Sequence, residues 1–309
     1  MPVIELNQVS KYYGSLLVLN QLNLQIDEGE VLGLFGHNGA GKTTTIKMIL
    51  GLMAPSQGTV SVLGVNPKLS ESSQMRFQLG FLPENVAFYA QLTGWEVLKF
   101  FAGLKKVSKQ RCQTLLEQVG LTHAMHRTIK HYSKGMRQRL GLAQALLTEP
   151  NILLLDEPTV GLDPIATQDF YTMVDAIKQK GCAIILCSHV LPGVEKHIDR
   201  AAILSNGCLQ ACGTLKQLRS QAELNMTITL QGAINLASIQ DDSITITSFN
   251  SHTHVLTASP TEKLSLIKKL VALDGLEDID IQAPSLEQLY RHYIEQPIGG
   301  RDECNLANG

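Results

Sequence analysis

Gly36-His37-Asn38-Gly39-Ala40-Gly41-Lys42-Thr43-Thr44 is the stretch of sequence that decides the fold. It fits the pattern G-x-x-x-x-G-K-[ST], a phosphate-binding loop (P-loop) whose glycines let several backbone N–H groups point at one anion. We expect Lys42 to reach the β- and γ-phosphates of a nucleotide and the Thr43 hydroxyl to bind Mg²⁺. The loop therefore predicts a site for a nucleoside triphosphate with Mg²⁺.

The residues on either side of the loop supply the context that a P-loop requires. Glu30–Phe35 is a short, almost continuous apolar run, which is typical of a buried parallel strand. Thr44–Gly51 has a helical pattern that ends at a glycine. Strand, glycine-rich loop and helix follow one another, so a chance match to the pattern is disfavoured.

Length and composition set limits on the class of protein. The chain has 309 residues, of which 44% are hydrophobic, and these values are typical of a large globular domain joined to a small one. The net charge of −2 gives no general electrostatic support for nucleic-acid binding. No signal peptide is apparent at the first residues, and no apolar run approaches 18 residues, so we expect no membrane-crossing helix.

Apolar strands alternate with helical stretches in residues 1–217. Ile152–Leu155 and Ala183–Leu186 are fully apolar, whereas Val3–Leu6 and Leu22–Ile26 alternate like half-buried strands. Residues 95–147 have mostly helical patterns. This arrangement predicts a parallel α/β core.

The composition changes after about residue 217. Met226–Leu230 and Ser243–Thr247 alternate with period two, and Ser259-Pro260-Thr261-Glu262 has the form of a helix capping box. An apolar stripe at helical spacing is predicted for Leu264, Ile267, Leu270 and Val271. We predict a nucleotide-binding domain at 1–217, an α+β accessory domain at 218–296 and a disordered tail at 297–309.

Three polar side chains follow apolar strands, at the edge where open α/β sheets bind ligands. Asp156 and Glu157 follow Ile152–Leu155, and His189 comes shortly after Ala183–Leu186. We expect Asp156 to hold Mg²⁺ and Glu157 to polarise the attacking water. Because adjacent parallel strands end at one edge, His189 should lie beside the same γ-phosphate.

A second anion-binding element is predicted at Tyr132–Arg139. Ser133 is a natural N-cap, and the N–H groups that follow it, including that of Gly135, are free to bind an anion. One nucleotide does not need two helix N-termini from distant parts of one chain. A second subunit would explain the pair.

Together these motifs resemble the ATP-binding-cassette (ABC) ATPases over residues 3–215. Gly36–Thr43 matches the Walker A motif, Ile152–Asp156 Walker B, Glu157 the catalytic glutamate and His189 the switch histidine. Tyr132–Met136 matches the signature motif and Val160–Asp163 the D-loop. The resemblance implies an α/β P-loop cassette with a RecA-like core, an antiparallel β subdomain and a helical subdomain, followed by a small C-terminal α+β domain.

The resemblance also implies a set of site residues. Lys42, Glu84, Glu157 and His189 are assigned to catalysis, and Thr43, Glu84 and Asp156 to Mg²⁺. The residues assigned to ATP are Tyr13, which stacks on adenine, with Gly36, His37, Asn38, Gly39, Ala40, Gly41, Lys42, Thr43 and Thr44, and Ser133 and Gly135 from a second copy.

Three positions depart from the family pattern. Glu84 stands where the family usually has glutamine, and Lys134 and Met136 stand where the signature usually has glycine and glutamine. A carboxylate at position 84 can still approach Mg²⁺ and water. We therefore expect activity with a changed rate.

A narrower resemblance concerns the biological role. Leu82–Val86, Tyr132–Gln144 and Cys187–Glu195 look very like the ATPase of the Nos-type transporter, which serves assembly of the copper site of nitrous-oxide reductase. This implies a homodimer on a multi-span membrane permease, at the cytoplasmic face of the bacterial inner membrane. The resemblance also implies a periplasmic accessory protein as a partner. It implies no nucleic-acid partner.

Several alternatives stay open. The C-terminal segment Ser285–Tyr290 also looks like the last module of ABC-2-type exporter ATPases, which allows export of another substrate. A soluble ABC ATPase acting on nucleic acid or ribosomes would require tandem cassettes, coiled coils or a basic surface. A non-hydrolysing scaffold is permitted by Glu84 and Met136 but opposed by Glu157 and His189. A GTPase would require an N-K-x-D motif, which the chain lacks.

Overall fold

The structure, a computed structural model, describes residues 2–68, 73–234, 245–248 and 252–295. The predicted tail at 297–309 and the first part of the predicted strand Ser243–Thr247 lie outside these residues. The chain divides into two compact units, Met1–Cys212 and Gly213–Pro297. No helix in the described ranges is both long enough and apolar enough to cross a membrane.

The strands of the first unit are β1 (Pro2–Tyr13), β2 (Leu16–Asp27), β3 (Val31–Phe35), β4 (Gln57–Val62), β5 (Leu79–Leu82), β6 (Ile152–Asp156), β7 (Ala183–Ser188), β8 (Arg200–Ser205) and β9 (Cys208–Gly213). Its helices are α1 (Lys42–Ile49), α2 (Ser73–Phe77), α3 (Gly94–Leu104), α4 (Lys109–Gln118), α5 (Lys134–Ala145) and α6 (Pro164–Lys178).

The second unit contains α7 (Leu215–Ala222), β10 (Met226–Gly232), β11 (Thr245–Ser248), β12 (Thr253–Ala258), α8 (Lys263–Val271), β13 (Leu276–Gln282) and α9 (Leu286–Glu295).

A six-stranded sheet in the order β5-β6-β7-β3-β8-β9 forms the centre of the first unit. The pairings β5–β6, β6–β7, β7–β3 and β3–β8 are parallel. Every residue of β3, β6 and β7 is buried, as expected for strands covered on both faces. The continuous apolar runs of the sequence therefore become the middle of the sheet.

An antiparallel sheet in the order β2-β1-β4 belongs to the same unit. Its apolar residues alternate with exposed ones, and side chains such as Leu22, Leu24 and Ile26 join the same hydrophobic core as β3 and β6. This sheet has one wet face, which explains the period-two pattern in its sequence.

Helices α3, α4 and α5 build a separate hydrophobic cluster that includes Leu98, Leu115 and Leu140. Helix α3 begins at a capping box, in which Thr93 Oγ1 accepts a hydrogen bond from Glu96 N and the Glu96 carboxylate accepts one from Thr93 N. Helix α5 begins at Ser133, whose Oγ accepts a hydrogen bond from Met136 N. The predicted helical region is thus a small three-helix subdomain.

The second unit is a four-stranded antiparallel sheet in the order β11-β12-β10-β13. Strand β10 pairs antiparallel with both β12 and β13, so β12, α8 and β13 form a split β-α-β unit around it. Ile228, Leu230 and Leu256 of the sheet pack with Leu266 and Leu270 of α8. This unit therefore has its own core.

Ser259 is an N-cap and Pro260 follows it in the first turn, as predicted, but the helix that they begin is a short 3-10 helix, Pro260–Glu262, which leads into α8. The Ser259 Oγ accepts a hydrogen bond from Thr261 N. The predicted apolar stripe of α8 is wrong in part. Helix α8 buries Leu266 and Leu270, whereas Leu264 and Val271 are mostly exposed. The buried residues Leu266 and Leu270 and the exposed residues Leu264 and Val271 all lie at helical spacings. Only packing against the sheet decides which of them are buried.

Replacing Tyr293 tests the packing of α9 against α7. Tyr293 is fully buried, and its hydroxyl donates a 2.9 Å hydrogen bond to the Leu218 carbonyl. Tyr293→Phe should lower the free energy of unfolding of this unit by about 1 kcal/mol, since one buried hydrogen bond is lost. The change is measured by urea unfolding, with hydrogen exchange of the α9 amides reporting on this unit. Tyr89→Phe, at an exposed tyrosine, is the control; equal midpoints for the two variants would contradict the assignment.

Candidate nucleotide site

The site lies where three central strands end at one edge of the sheet. Asp156 at the end of β6 pairs in register with Cys187 of β7, and Phe35 at the end of β3 pairs with Ser188. The P-loop therefore leaves β3 beside the residues that follow β6 and β7. This is the parallel-strand geometry that the sequence predicts.

A cavity of about 170 Å³ opens at this edge. Its lining consists of Val18, His37, Asn38, Gly39, Ala40, Gly41, Lys42, Thr43, Thr44, Glu84, Asp156 and Glu157. The structure thus brings most of the predicted nucleotide residues together, and it places Glu84 with Asp156 and Glu157. Three carboxylates and one lysine in one small cavity make the site acidic.

Lys42 is held inside the P-loop by polar contacts. Its ammonium group donates hydrogen bonds to the carbonyl oxygens of Gly36 and His37. It also lies 3.5 Å from Glu157 Oε1, and both side chains are only 6% exposed. A buried ammonium needs such partners, because an uncompensated charge in the interior is costly.

Glu157 lies between Lys42 and His189. Its Oε2 is 2.9 Å from His189 Nδ1 and accepts a 3.2 Å hydrogen bond from the His189 backbone N–H. Its backbone has a positive φ of 49°, a conformation that costs free energy for a residue with a side chain. The surrounding contacts hold the carboxylate in this conformation at the edge of the cavity.

Asp156 is buried with incomplete compensation of its charge. The Thr43 hydroxyl donates a 3.2 Å hydrogen bond to Oδ2, while Oδ1 has no hydrogen-bond partner in the described part of the chain. Burial raises the pKa of Asp156, and the charges of Glu157 and Glu84 raise it further, against the Thr43 hydrogen bond and the charge of Lys42. A hard divalent cation would satisfy the free oxygen.

Magnesium fits the donor set of the cavity. Asp156 and Thr43 offer the kind of hard oxygen ligands that it prefers, and it needs only one or two carboxylates together with phosphate oxygens. Within the described ranges no group of three or more His, Cys, Asp or Glu side chains could hold a metal ion by itself. A cation here would therefore depend on the nucleotide for its remaining ligands.

Four predicted nucleotide residues are not part of the cavity lining: Gly36, at the start of the P-loop, and Tyr13, Ser133 and Gly135. Tyr13, which is 46% exposed, donates a hydrogen bond from its hydroxyl to the Met53 sulfur. Ser133 caps α5, and a side chain at Gly135 would meet Leu162, in the segment after Glu157. One chain thus does not bring Ser133 and Gly135 into the P-loop cavity.

The sequence did not identify one residue that lines the cavity, Val18, or one that lies near it, Tyr171. Val18 lines the cavity from β2, and nothing in its pattern distinguishes it from other strand residues. Tyr171 of α6 stacks on His197 with 4.6 Å between ring centroids. Its side chain also forms a hydrogen bond with Thr159, two residues after Glu157. Its burial raises its pKa, as does the charge of Glu157, against the Thr159 bond. In the sequence Tyr171 is simply an aromatic residue at a helical core position.

Comparison with known proteins identifies the family. The family model described as ABC transporter matches residues 19–160. The uncharacterised ABC transporter ATP-binding protein YdbJ of Bacillus subtilis (strain 168) is 42% identical over 212 residues, which is 68% of this chain and 68% of that protein. The chain belongs to the ABC transporter ATP-binding proteins. It is an ABC-type ATPase, as the motifs predict.

Other matches of this ABC ATPase extend the comparison. The bacitracin transport ATP-binding protein BcrA of Enterococcus faecalis is 36% identical over 301 residues, covering 96% of this chain and 97% of that protein. A solved ATP-binding subunit of an ABC transporter is 35% identical, with a TM-score of 0.65, over 71% of this chain and 92% of that one. The dimeric cassette MJ0796 is 25% identical, with a TM-score of 0.63, over 69% and 98%. These structures confirm the predicted cassette fold.

Asp156→Asn tests the electrostatic cost of the site. Because the folded-state pKa is raised, the folded protein holds more protons than the unfolded one between the two pKa values, and stability falls as pH rises through that window. At pH 7 the variant should therefore melt at a higher temperature than the wild type without nucleotide. Each kcal/mol gained corresponds to about 2–4 °C in a unit of this size.

Differential scanning fluorimetry at pH 7 and at pH 4 measures this effect. The difference between Asp156→Asn and the wild type should shrink at the lower pH, because the raised pKa of Asp156 lets protonation remove the charge from a larger share of the wild-type side chains. Asp169→Asn, at an exposed position of α6, is the matched control and should leave the melting temperature unchanged. A lower melting temperature for Asp156→Asn at pH 7 would contradict the prediction.

Proposed function

We propose that this ABC ATPase is the motor subunit of a transporter, in which two copies bind ATP with Mg²⁺ between them and drive a separate membrane permease. The observation that carries the proposal is the contact of buried Glu157 with buried Lys42 on one side and with the half-exposed His189 on the other, beside the P-loop. Such a series has the groups needed to hold a γ-phosphate and to orient a water molecule at it. A phosphate-binding scaffold alone would not need Glu157 in a strained conformation.

The residues act in distinct ways on bound ATP. The N–H groups of the P-loop and Lys42 bind the phosphates, and Lys42 then exchanges its contact with Glu157 for phosphate oxygens. Glu157, released from Lys42, orients the attacking water and accepts its proton. His189 holds the Glu157 carboxylate in position through the 2.9 Å contact. Mg²⁺, bound by Thr43 and Asp156 with Glu84 nearby, would neutralise charge that develops on the phosphates.

The second copy is proposed because one chain leaves the nucleotide site open on one side. The N-terminus of α5, with Ser133 and Gly135, offers backbone N–H groups but is not in the P-loop cavity of its own chain. The related cassette MJ0796 is dimeric. In a head-to-tail pair, Ser133 and Gly135 of each chain would face the γ-phosphate bound by the other.

Glu157→Gln tests hydrolysis. The substitution keeps the size of the side chain and removes the proton acceptor, so steady-state phosphate release should fall at least about 100-fold. ATP binding should persist, and ATP should shift the variant toward the dimer in light scattering. Glu117→Gln, on the exposed face of α4, is the control and should behave like the wild type.

The outcome that contradicts the motor function is equally specific. If the wild type, measured in its membrane complex, releases phosphate as slowly as Glu157→Gln, then the chain is a scaffold that binds nucleotide without using it. Loss of activity in Glu117→Gln would indicate misfolding, and the comparison would then rest on ATP-dependent dimer formation instead.

A surface on α3 is proposed to contact the permease at the cytoplasmic face of the membrane. Phe100 and Leu104 lie one helical turn apart and are 60% and 63% exposed, and Tyr89 is exposed just before the helix. Trp95 is less suited to this role, because it packs partly against the hydrophobic cluster of α3, α4 and α5. Exposed apolar side chains at helical spacing are typical of a docking surface.

Phe100→Ser combined with Leu104→Ser should at least halve recovery of a multi-span membrane protein in pull-downs from detergent-solubilised membranes, since apolar contact area is lost. Leu264→Ser, at a leucine that is 75% exposed in the second unit, is the matched control. Recovery of soluble proteins only, or equal recovery with both sets of variants, would contradict membrane docking at this surface.

For the transported substrate we propose a role in copper-site assembly of nitrous-oxide reductase, supported by the resemblance of Leu82–Val86, Tyr132–Gln144 and Cys187–Glu195 to the Nos-type ATPase. A periplasmic accessory protein would be part of that system. The alternative is export of another substrate, favoured by the similarity to the bacitracin transport ATP-binding protein BcrA over almost the whole of both chains. Copper content of nitrous-oxide reductase and bacitracin sensitivity, each measured after gene deletion, distinguish the two.

A further inference from the structure

The second unit contains a cavity of about 660 Å³ that is separate from the nucleotide site. Its lining combines residues of α7, the segment after β12, and the ends of the sheet: Lys216, Arg219, Ser220, Glu223, Met226, Ser259, Pro260, Thr261, Lys263, Ile281, Ala283 and Pro284. The volume is within the range of about 300–1,000 Å³ that small-molecule sites in proteins occupy. None of its lining residues lines the nucleotide cavity.

The sheet provides one end of the cavity. Met226 opens β10 and pairs with Ala258, the last residue of β12, and Ile281 near the end of β13 pairs with Ile228. Ser259 and Pro260 continue directly from β12. This end of the cavity is therefore built on neighbouring strands that are hydrogen-bonded to one another, and such strands form a rigid support.

Helix α7 provides one wall through a single face. Lys216, Arg219, Ser220 and Glu223 occupy positions i, i+3, i+4 and i+7, so their side chains share one face of α7 and of the turn that follows it. The Nε of Arg219 donates a 2.7 Å hydrogen bond to the Pro284 carbonyl, across the cavity lining. This contact fixes the direction of the guanidinium group.

The lining of the cavity contains both cationic and apolar side chains. Lys216, Arg219 and Lys263 contribute positive charge against the single carboxylate of Glu223, and the hydroxyls of Ser220, Ser259 and Thr261 can donate hydrogen bonds. Met226, Pro260, Ile281, Ala283 and Pro284 supply apolar surface. A cavity that combines apolar surface with charged and hydroxyl groups can bind a ligand that has both an apolar body and a charged group.

We propose that this cavity binds a small amphipathic anion, in which a carboxylate, phosphate or sulfonate group meets Lys216, Arg219 and Lys263 while an apolar body packs on Met226 and Ile281. The charge excess selects an anion, and the volume selects an organic molecule over an inorganic ion.

The fluorescent probe 8-anilinonaphthalene-1-sulfonate, an apolar sulfonate, tests the site on the full chain with saturating Mg²⁺ and ADP filling the P-loop. The wild type should bind one equivalent saturably, and decanoate should displace the probe while inorganic phosphate at the same concentration should not. If inorganic phosphate displaces the probe as effectively as decanoate does, the site does not require an apolar body in its ligand, and the proposal is wrong.

Charge reversal locates the probe. The double variant Lys216→Glu/Lys263→Glu should bind it at least about tenfold more weakly, and Ala283→Trp should exclude it by filling the space. Lys268→Glu/Lys269→Glu makes the same change of net charge on α8, at exposed lysines outside the cavity lining, and should bind within about twofold of the wild type.

The remaining outcomes overturn the proposal. Equal weakening in both double variants would mean that the probe responds only to net charge, and unchanged binding in Ala283→Trp would place it elsewhere. If light scattering shows that the probe is displaced by self-association of the chain, the cavity is an interface between copies instead. Every substituted side chain is exposed, so all variants should melt close to the wild-type temperature. Measuring the melting temperatures checks that the variants fold.

Discussion

The contact of Glu157 with Lys42 on one side and His189 on the other depends on the way the central sheet ends. Strand β3 delivers the P-loop, β6 delivers Asp156 and Glu157, and β7 delivers His189, and their parallel registers place all three at one edge. A shift of one residue in either pairing would turn a carboxylate away from the lysine. The fully buried apolar strands therefore determine the chemistry as much as the polar residues do.

Much of the fold and of the site could be predicted, because the signals are local and strong. Continuous apolar runs predicted β3, β6 and β7, and the position of Asp156 and Glu157 after such a run predicted their place at the edge. The glycine-rich loop indicated its own conformation through its composition. In these regions the local preference and the final packing agree, so little beyond the sequence is needed.

The rest could not be predicted, because it depends on contacts between distant segments. Helix α8 carries leucines at two sets of helical spacing, and only the sheet beneath it selects Leu266 over Leu264. Val18 reaches the cavity through the packing of β2, and α6 brings Tyr171 close enough to Glu157 to interact with its charge, in both cases without any motif. The cavity of the second unit likewise draws residues from four separate segments. Spacing along one element contains no information about which neighbour it meets.

Gly41 links the nucleotide loop to the antiparallel sheet through the absence of a side chain. Its φ is +107°, and a Cβ at this position would lie 2.4 Å from Leu19 of β2, a residue of the core. The P-loop and β2 are therefore not independent modules. For protein engineering this means that the loop cannot be exchanged alone: a donor loop from a cassette with a different β2 would need Leu19 and Val18 transferred with it to keep both the core and the cavity intact.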